Sequence, residues 1–164
     1  MVKGILSTPL GNLHYLICGG MLQYLSFKDR GGGCSTPTQN DRIVEKNLVE
    51  KMRLYFSEGL WDFQDIPLNL SGMPEVYVRI YTTLCGIPPG KVITYSELAE
   101  RTGIIGGARV VGQAMAKNPF VIVIPCHRVV GKNSIGGFSA GLERKVALLN
   151  LEGVDSRVWK KPPH

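Results

Sequence analysis

Apolar residues in the first part of the chain fall into short runs that turn residues separate. Residues 3–27, KGILSTPLGNLHYLICGGMLQYLSF, contain such runs, divided at Pro9–Gly11 and at Gly19–Gly20. This spacing predicts an antiparallel meander of strands. Residues 41–57 then change to a helical period that stops before Gly59. The predicted helix places these apolar side chains on one face: Ile43, Val44, Leu48, Met52, Tyr55 and Phe56.

The pattern in the second part of the chain is mainly helical. Thr94 and Glu97, three residues apart, form a capping box that predicts the start of a helix, and Gly103 marks its end. ARVVGQAMAKNP, residues 108–119, predicts another helix that Asn118–Pro119 terminates. Because a glycine-containing turn joins these short helices, they are a helix-turn-helix candidate. Further helices are predicted over 76–84 and 142–151.

Between those helices lies VIVIPCHRVVG, residues 121–131. The run Val121–Ile124 is short, β-branched and apolar, as expected of a strand buried on both faces. Pro125 cannot donate to a strand ladder, so the strand should end there and leave Cys126 at the exit of the core. A buried structural cysteine is the simpler interpretation. His127 and Arg128 favour a reactive cysteine, because nearby cations stabilise a thiolate.

Charge is distributed unevenly along the 164 residues. The formal net charge is +6, and all of it lies in residues 75–164, since the first 74 residues carry as many acidic as basic side chains. The turn-rich segment near Ser71–Pro74 divides the two parts, which predicts domains over 1–72 and 73–164. A basic domain with a candidate thiol suggests a polyanionic partner, and an ordinary basic surface is a serious alternative.

The chain has no apolar stretch long enough for a membrane span and no organised signal peptide, so we expect a cytoplasmic protein without membrane contact. The cysteines, Cys18, Cys34, Cys85 and Cys126, show no CxxC pair. A metal site is therefore not expected. A Cys18–Cys34 disulfide stays open, although it would be unusual in a reducing compartment.

The predicted helix over 108–117 offers few side chains for reading base edges. Arg109, Gln113 and Lys117 stand among small residues, and Gly112 inside a helix suggests close approach of a bulky group. Packing of this helix against the core explains the small residues at least as well. Together with the basic charge, the pattern predicts a surface that lies against DNA without reading much sequence.

IPCHRVVG, with ARVVGQAMAKNP before it and GGFSAGLERKVALLNLEG after it, closely resembles the O6-alkylguanine-DNA alkyltransferases, also called methylated-DNA–protein-cysteine methyltransferases. The resemblance covers about residues 75–153. It implies an α+β fold, with a small antiparallel sheet and a helix in the N-terminal domain. The C-terminal domain would be a mainly helical, winged helix-turn-helix-like domain that carries the active cysteine.

The resemblance also implies roles for individual residues. Cys126 matches the alkyl acceptor, His127 the histidine that activates it through a water, and Glu152 the carboxylate that orients the histidine. Further positions match an asparagine of this network, two contacts to the flipped guanine, a lysine lining the site and an arginine that fills the gap in the duplex; they are, in that order, Asn118, Tyr95, Ser139, Lys145 and Arg109. The expected DNA surface also includes Ala108, Gly112, Gln113 and Arg128.

These roles imply a monomeric DNA-repair methyltransferase that uses no cofactor. It would flip O6-alkylguanine out of double-stranded DNA from the minor-groove side and transfer the alkyl group irreversibly to Cys126, with O4-alkylthymine as a further candidate substrate. A thiolate suits attack on saturated carbon, and the target atom lies inside the base stack. If residues 126–127 were extended, their side chains would point apart, which favours a bridging water between them.

The sequence leaves two alternative functions to consider. A non-catalytic alkyltransferase-like protein would lack the acceptor, so Cys126 argues against it. A cysteine hydrolase also uses Cys, His and Glu, but it would turn over through a reactive thioester. Phe138 stands where many relatives carry tyrosine, and an apolar ring there can still line the pocket. The zinc ligands of some animal members have no convincing counterpart in this chain.

Overall fold

The N-terminal apolar runs form one antiparallel sheet in the computed structural model, which describes residues 1–33, 35–59 and 62–159. Its strands are β1 (Val2–Thr8), β2 (Gly11–Cys18) and β3 (Met21–Ser26), in the order β1-β2-β3. Thr8 pairs with Gly11 and Cys18 with Met21, so each hairpin turn is tight. The predicted meander is therefore present.

Helix α1 (Gln39–Glu58) packs on this sheet. The Thr38 side chain accepts from the Asp41 N–H while the Asp41 carboxylate accepts from the Thr38 N–H, and Gly59 ends the helix with φ of 70°. Val44, Leu48, Met52 and Tyr55 are buried as predicted. Ile43 is a correction, because 59% of its surface is exposed. It lies at the edge of the apolar stripe and points to solvent.

The chain divides into two compact units, Met1–Ser71 and Gly72–His164. The elements of the second unit are α2 (Glu75–Cys85), β4 (Ile93–Thr94), α3 (Tyr95–Arg101), α4 (Ala108–Lys117), a 3-10 turn (Cys126–Arg128), β5 (Val129–Val130), α5 (Leu142–Leu151) and a 3-10 turn (Ser156–Val158). The predicted capping box is present, since Glu97 N–H donates to the Thr94 hydroxyl and the Glu97 carboxylate accepts from Thr94 N–H. Helices α3 and α4 pack on one another, and β4 pairs in parallel with β5.

The strand predicted over Val121–Ile124 is wrong. Ile122 has φ of 73°, the Val123 N–H donates to the Val121 carbonyl, and the Ile124 N–H donates to the Phe120 carbonyl. The segment is thus a tight turn, although it is as buried as a central strand would be. Asn118 closes it, because its Oδ1 accepts from the Phe120 N–H and its Nδ2 donates to the Ile124 carbonyl. A buried turn is tolerated when a side chain satisfies its backbone polar groups.

The α+β fold class predicted from the sequence is confirmed. No helix in the described ranges has the length and apolar character needed to cross a membrane.

Candidate active site

Cys126 begins the 3-10 turn directly after Pro125, with its N–H bonded to the Ile124 carbonyl at 2.8 Å. Only 3% of its surface is exposed, and that part opens into a pocket of about 120 Å³. Pockets for drug-sized ligands measure roughly 300–1,000 Å³, so this one suits a single small group or part of a flat ring. The other lining residues are Tyr95, Gly112, Met115, Ala116, Gly137, Phe138 and Ser139.

Behind Cys126, three side chains form a buried chain of hydrogen bonds. His127 Nε2 lies 2.7 Å from Glu152 Oε1. The Arg128 guanidinium donates to both oxygens of Glu152, from Nε at 2.8 Å and from Nη2 at 2.7 Å, and its Nη1 donates to the Ile87 carbonyl at 2.6 Å. The side chains of His127 and Glu152 are fully buried. Such a fork of donors fixes the carboxylate in one orientation.

The charges and the burial within this hydrogen-bond network determine the protonation state of His127. Burial raises the pKa of Glu152, but hydrogen bonds from Arg128 and His127 outweigh it and hold that pKa at about 2. Burial lowers the pKa of His127 below 6.5, against the opposing effect of Glu152. The imidazole is therefore neutral at pH 7, with its proton on Nε2 facing the carboxylate. Its Nδ1 keeps a lone pair and, within the described residues, is buried with no hydrogen-bond partner.

Cys126 is a thiol at rest. Burial raises the pKa of Cys126, while the Asn118 side chain and the charge of Lys145 act in the opposite direction. Asn118 thus both closes the buried turn before the cysteine and lowers the pKa of its thiol. A neutral thiol followed in the chain by a neutral imidazole with an available lone pair can supply a nucleophile and a general base.

The wall of the pocket opposite α4 is a loop that contains Gly137. The side chains of Lys145 and Tyr95 fix this loop through hydrogen bonds. The Lys145 ammonium, fully buried on α5, donates to the carbonyls of Val129 at 2.6 Å and Gly137 at 2.8 Å. Burial lowers the pKa of Lys145 to about 8. The Tyr95 hydroxyl accepts from the Gly137 N–H at 3.2 Å. Gly136 has φ of 74°, and a Cβ there would lie 2.7 Å from the Tyr95 oxygen, so only glycine lets the ring come this close.

Most residues expected at the DNA surface lie at or near α4. Arg109 and Gln113 are exposed, Ala108 is half-buried at the start of the helix, and Gly112 lines the pocket. A Cβ on Gly112 would meet nothing within 4 Å, so the space above it is open. Ser139 lies in the pocket wall.

Arg128 is a correction, because it does not belong to an exposed surface. It is 3% exposed, and its guanidinium nitrogens are bonded to Glu152 and to the Ile87 carbonyl. The extended backbone assumed at 126–127 is also wrong, since these residues form a 3-10 turn. Sequence reasoning missed Met115 and Ala116, which follow Gly112 by three and four residues and share its helix face. Their spacing from Gly112 could have predicted that they line the same pocket.

The similarity of the chain to known proteins agrees with this site. Residues 75–154 match the family model described as 6-O-methylguanine DNA methyltransferase, DNA binding domain. A methylated-DNA–protein-cysteine methyltransferase of Saccharolobus islandicus is 35% identical over 154 residues, which cover 94% of this chain and 97% of the relative. The chain belongs to the methylated-DNA–protein-cysteine methyltransferase family. A Metallosphaera sedula member is also 35% identical, over 81% of this chain and 94% of the relative.

Solved structures agree with this family assignment. The structure of Mycobacterium tuberculosis OGT in complex with DNA has a TM-score of 0.78 and 33% identity, over 90% of each chain. The O6-methylguanine-DNA methyltransferase of Pyrococcus kodakaraensis has a TM-score of 0.63 and 28% identity, over 93% of this chain and 98% of that one. The family predicted from the sequence is confirmed. In the described ranges, no group of three or more His, Cys, Asp or Glu side chains is placed to hold a metal ion.

Proposed function

We propose that this methyltransferase-family protein repairs double-stranded DNA by transferring the alkyl group of O6-alkylguanine to the sulfur of its own Cys126. The observation that carries the proposal is the position of this thiol in a small pocket, with the Glu152–His127 pair behind it and the Tyr95 ring in the wall. The family and the DNA complex of its M. tuberculosis relative support the same substrate class.

The transfer is a displacement at saturated carbon. The Cys126 proton passes to His127 Nδ1 through a bridging water, and the sulfur then forms a bond to the alkyl carbon while the bond from that carbon to guanine O6 breaks. Glu152 accepts from Nε2 and stabilises the imidazolium that results, as an orienting carboxylate does in other activated nucleophiles. Arg128 acts one step further back, by holding Glu152 ionised and fixed.

The departing guanine takes up negative charge and needs a donor. Tyr95 is suited to this role because its oxygen already accepts from the Gly137 N–H, which leaves its own proton free for the base. A donor fixed before the reaction stabilises the developing charge without reorganisation. Ser139, in the same wall, is a second candidate contact to the base. Lys145 positions the loop that carries Ser139 and bonds to Tyr95, because its ammonium donates to the Gly137 carbonyl.

DNA engagement is assigned to α4. The target base must leave the stack to enter the pocket, which costs a few kcal/mol. Arg109, exposed at the start of α4, would enter the duplex and offset part of that cost, with Ala108, Gly112 and Gln113 close to the DNA from the minor-groove side. A thioether has no easy hydrolytic exit, so each protein acts once. O4-alkylthymine as a substrate, a monomeric state and a cytoplasmic location stay predictions.

Intact-mass measurement after mixing with an O6-methylguanine duplex tests the proposal. We expect a stoichiometric gain of one methyl group in exchange for a proton, mapped to Cys126, and no further turnover. Cys126→Ser should abolish the gain while DNA binding stays nearly intact. Cys85→Ser is the matched control, because it removes another thiol of the same unit. A gain at any other residue, or continued turnover with release of the group, would contradict the mechanism.

A further inference from the structure

We propose that Ile105, at the tip of the turn between α3 and α4, is an apolar DNA-contact residue that packs against the sugars and base edges of the groove that α4 enters. The inference rests on the proposed function and deepens it, because it adds a contact that no basic residue supplies. Apolar side chains of this kind are used by proteins that engage the minor groove.

The first observation is the exposure of this side chain. Ile105 is 100% exposed, and no other large apolar side chain in the described residues has a larger exposed fraction. Scattered apolar residues on a surface are ordinary, so exposure alone assigns nothing. Ile105, however, lies four residues before Arg109 and three before α4 begins. Any duplex that receives Arg109 therefore comes within reach of this turn.

The second observation is that a hydrogen-bonded turn places Ile105 at its exposed tip. The Gly107 N–H donates to the Ile104 carbonyl at 3.0 Å, and Gly106 takes φ of 67°, as a tight turn with a left-handed third position requires. The Ile104 N–H is bonded to the Ala99 carbonyl at 2.9 Å, which ties the turn to the end of α3. A Cβ on Gly107 would collide with the Ile104 side chain. The side chain at the tip is thus presented before any partner arrives.

The third observation is the charge around the turn, which selects DNA as the partner. Residues 101–117 contain Arg101, Arg109 and Lys117 and no acidic residue. Glu100, at the end of α3, is the nearest acidic residue in sequence, and from Arg101 through α4 every charged side chain is basic. An apolar tip next to such a basic helix matches a groove whose walls are phosphates and whose interior offers sugar carbons. Phosphate contacts align the domain, and the apolar contact adds affinity that salt does not screen.

DNA affinity is the direct test, measured by fluorescence anisotropy in a Cys126→Ser background so that no transfer occurs. Ile105→Ala should weaken duplex binding roughly tenfold, which corresponds to about 1.4 kcal/mol. The factor should be the same at low and high salt, because an apolar contact releases no counterions. Ile105→Leu should restore most of the affinity. Ile43→Ala, at a residue 59% exposed in the other unit, is the matched control and should bind normally.

The rate of reaction with free O6-benzylguanine, measured with Cys126 present, separates DNA contact from an effect on the fold. Ile105→Ala should leave this rate unchanged. Binding equal to that of Ile43→Ala, or an equal loss on duplex and free base, would overturn the inference. Methyl loading of the unsubstituted protein distinguishes the two proposals. If the unsubstituted protein gains no methyl group, the proposed function is wrong. If it gains one and Ile105→Ala still binds DNA normally, only the role of Ile105 is refuted.

Discussion

Replacing Arg128 by methionine tests the buried hydrogen-bond chain behind the thiol. Methionine keeps a long apolar stem but removes the donors to both Glu152 oxygens and to the Ile87 carbonyl. Glu152 stays fully buried and keeps the His127 hydrogen bond. We expect a large loss of stability at neutral pH, because a buried carboxylate then loses its permanent cation.

The magnitude follows from the pKa of Glu152. Lowering this pKa from 4.5 to about 2 corresponds to roughly 3 kcal/mol of stability at neutral pH. Removing one partner of a buried pair typically costs about 3–5 kcal/mol. The hydrogen bond from His127, which the variant keeps, supplies part of the pKa shift. Arg128→Met should therefore lower the free energy of unfolding of the second unit by about 3 kcal/mol, the low end of this range.

The loss should depend on pH in a stated direction. In the unsubstituted protein, the contribution of Glu152 is present above pH 4.5 and is lost as the pH falls towards 2, because its folded pKa is the lower one. In Arg128→Met, burial instead raises the pKa of Glu152, so ionisation opposes folding above pH 4.5. The difference between the two proteins should therefore shrink as the pH falls from about 7.5 to about 5.

Urea unfolding followed by Trp159 fluorescence measures this loss, in a Trp61→Phe background so that only the second unit reports. Trp159 is buried against Leu149 and Val154 of that unit. Arg101→Met, at an exposed arginine of α3, is the control and should change stability by less than about 0.5 kcal/mol. A loss below about 1 kcal/mol, or one that is independent of pH, would refute the role of Arg128 in holding Glu152 ionised.

Further predictions concern the pocket and α4. Arg109→Ala should slow repair of saturating duplex DNA strongly and leave the reaction with free O6-benzylguanine unchanged; equal losses would mean a role in the fold. The alkylated protein should melt at a lower temperature, because a thioether crowds a packed site at a cost of about 1–3 kcal/mol, and an equal or higher Tm would contradict this. Gly136→Ala should slow alkyl transfer from free O6-benzylguanine, because the new methyl group would displace the Tyr95 ring. Gly103→Ala is the control, since Gly103 has the same φ of 74° and no atom near the added methyl group, so this variant shows the effect of backbone strain alone. Similar losses in both variants would exclude the displacement.

The sequence alone determined those parts of the protein that depend on neighbouring residues. Turn residues between short apolar runs predicted the meander, and the Thr94–Glu97 spacing predicted where α3 begins. Leu142–Leu151 is helical over the predicted bounds. Capping and turn preferences act over a few residues, so the order of residues along the chain is sufficient to determine them.

Only the tertiary structure decided where the chain turns inside the core and which way Arg128 points. An apolar β-branched run fits a buried strand and a buried turn equally well, and Asn118 selects the turn through bonds to residues 120 and 124. Arg128 is directed inward because folding brings Glu152 and the Ile87 carbonyl, 24 and 41 residues away, within 2.8 Å of its guanidinium. A charged side chain is buried only where such partners meet, and their meeting depends on long-range packing that local sequence patterns do not encode.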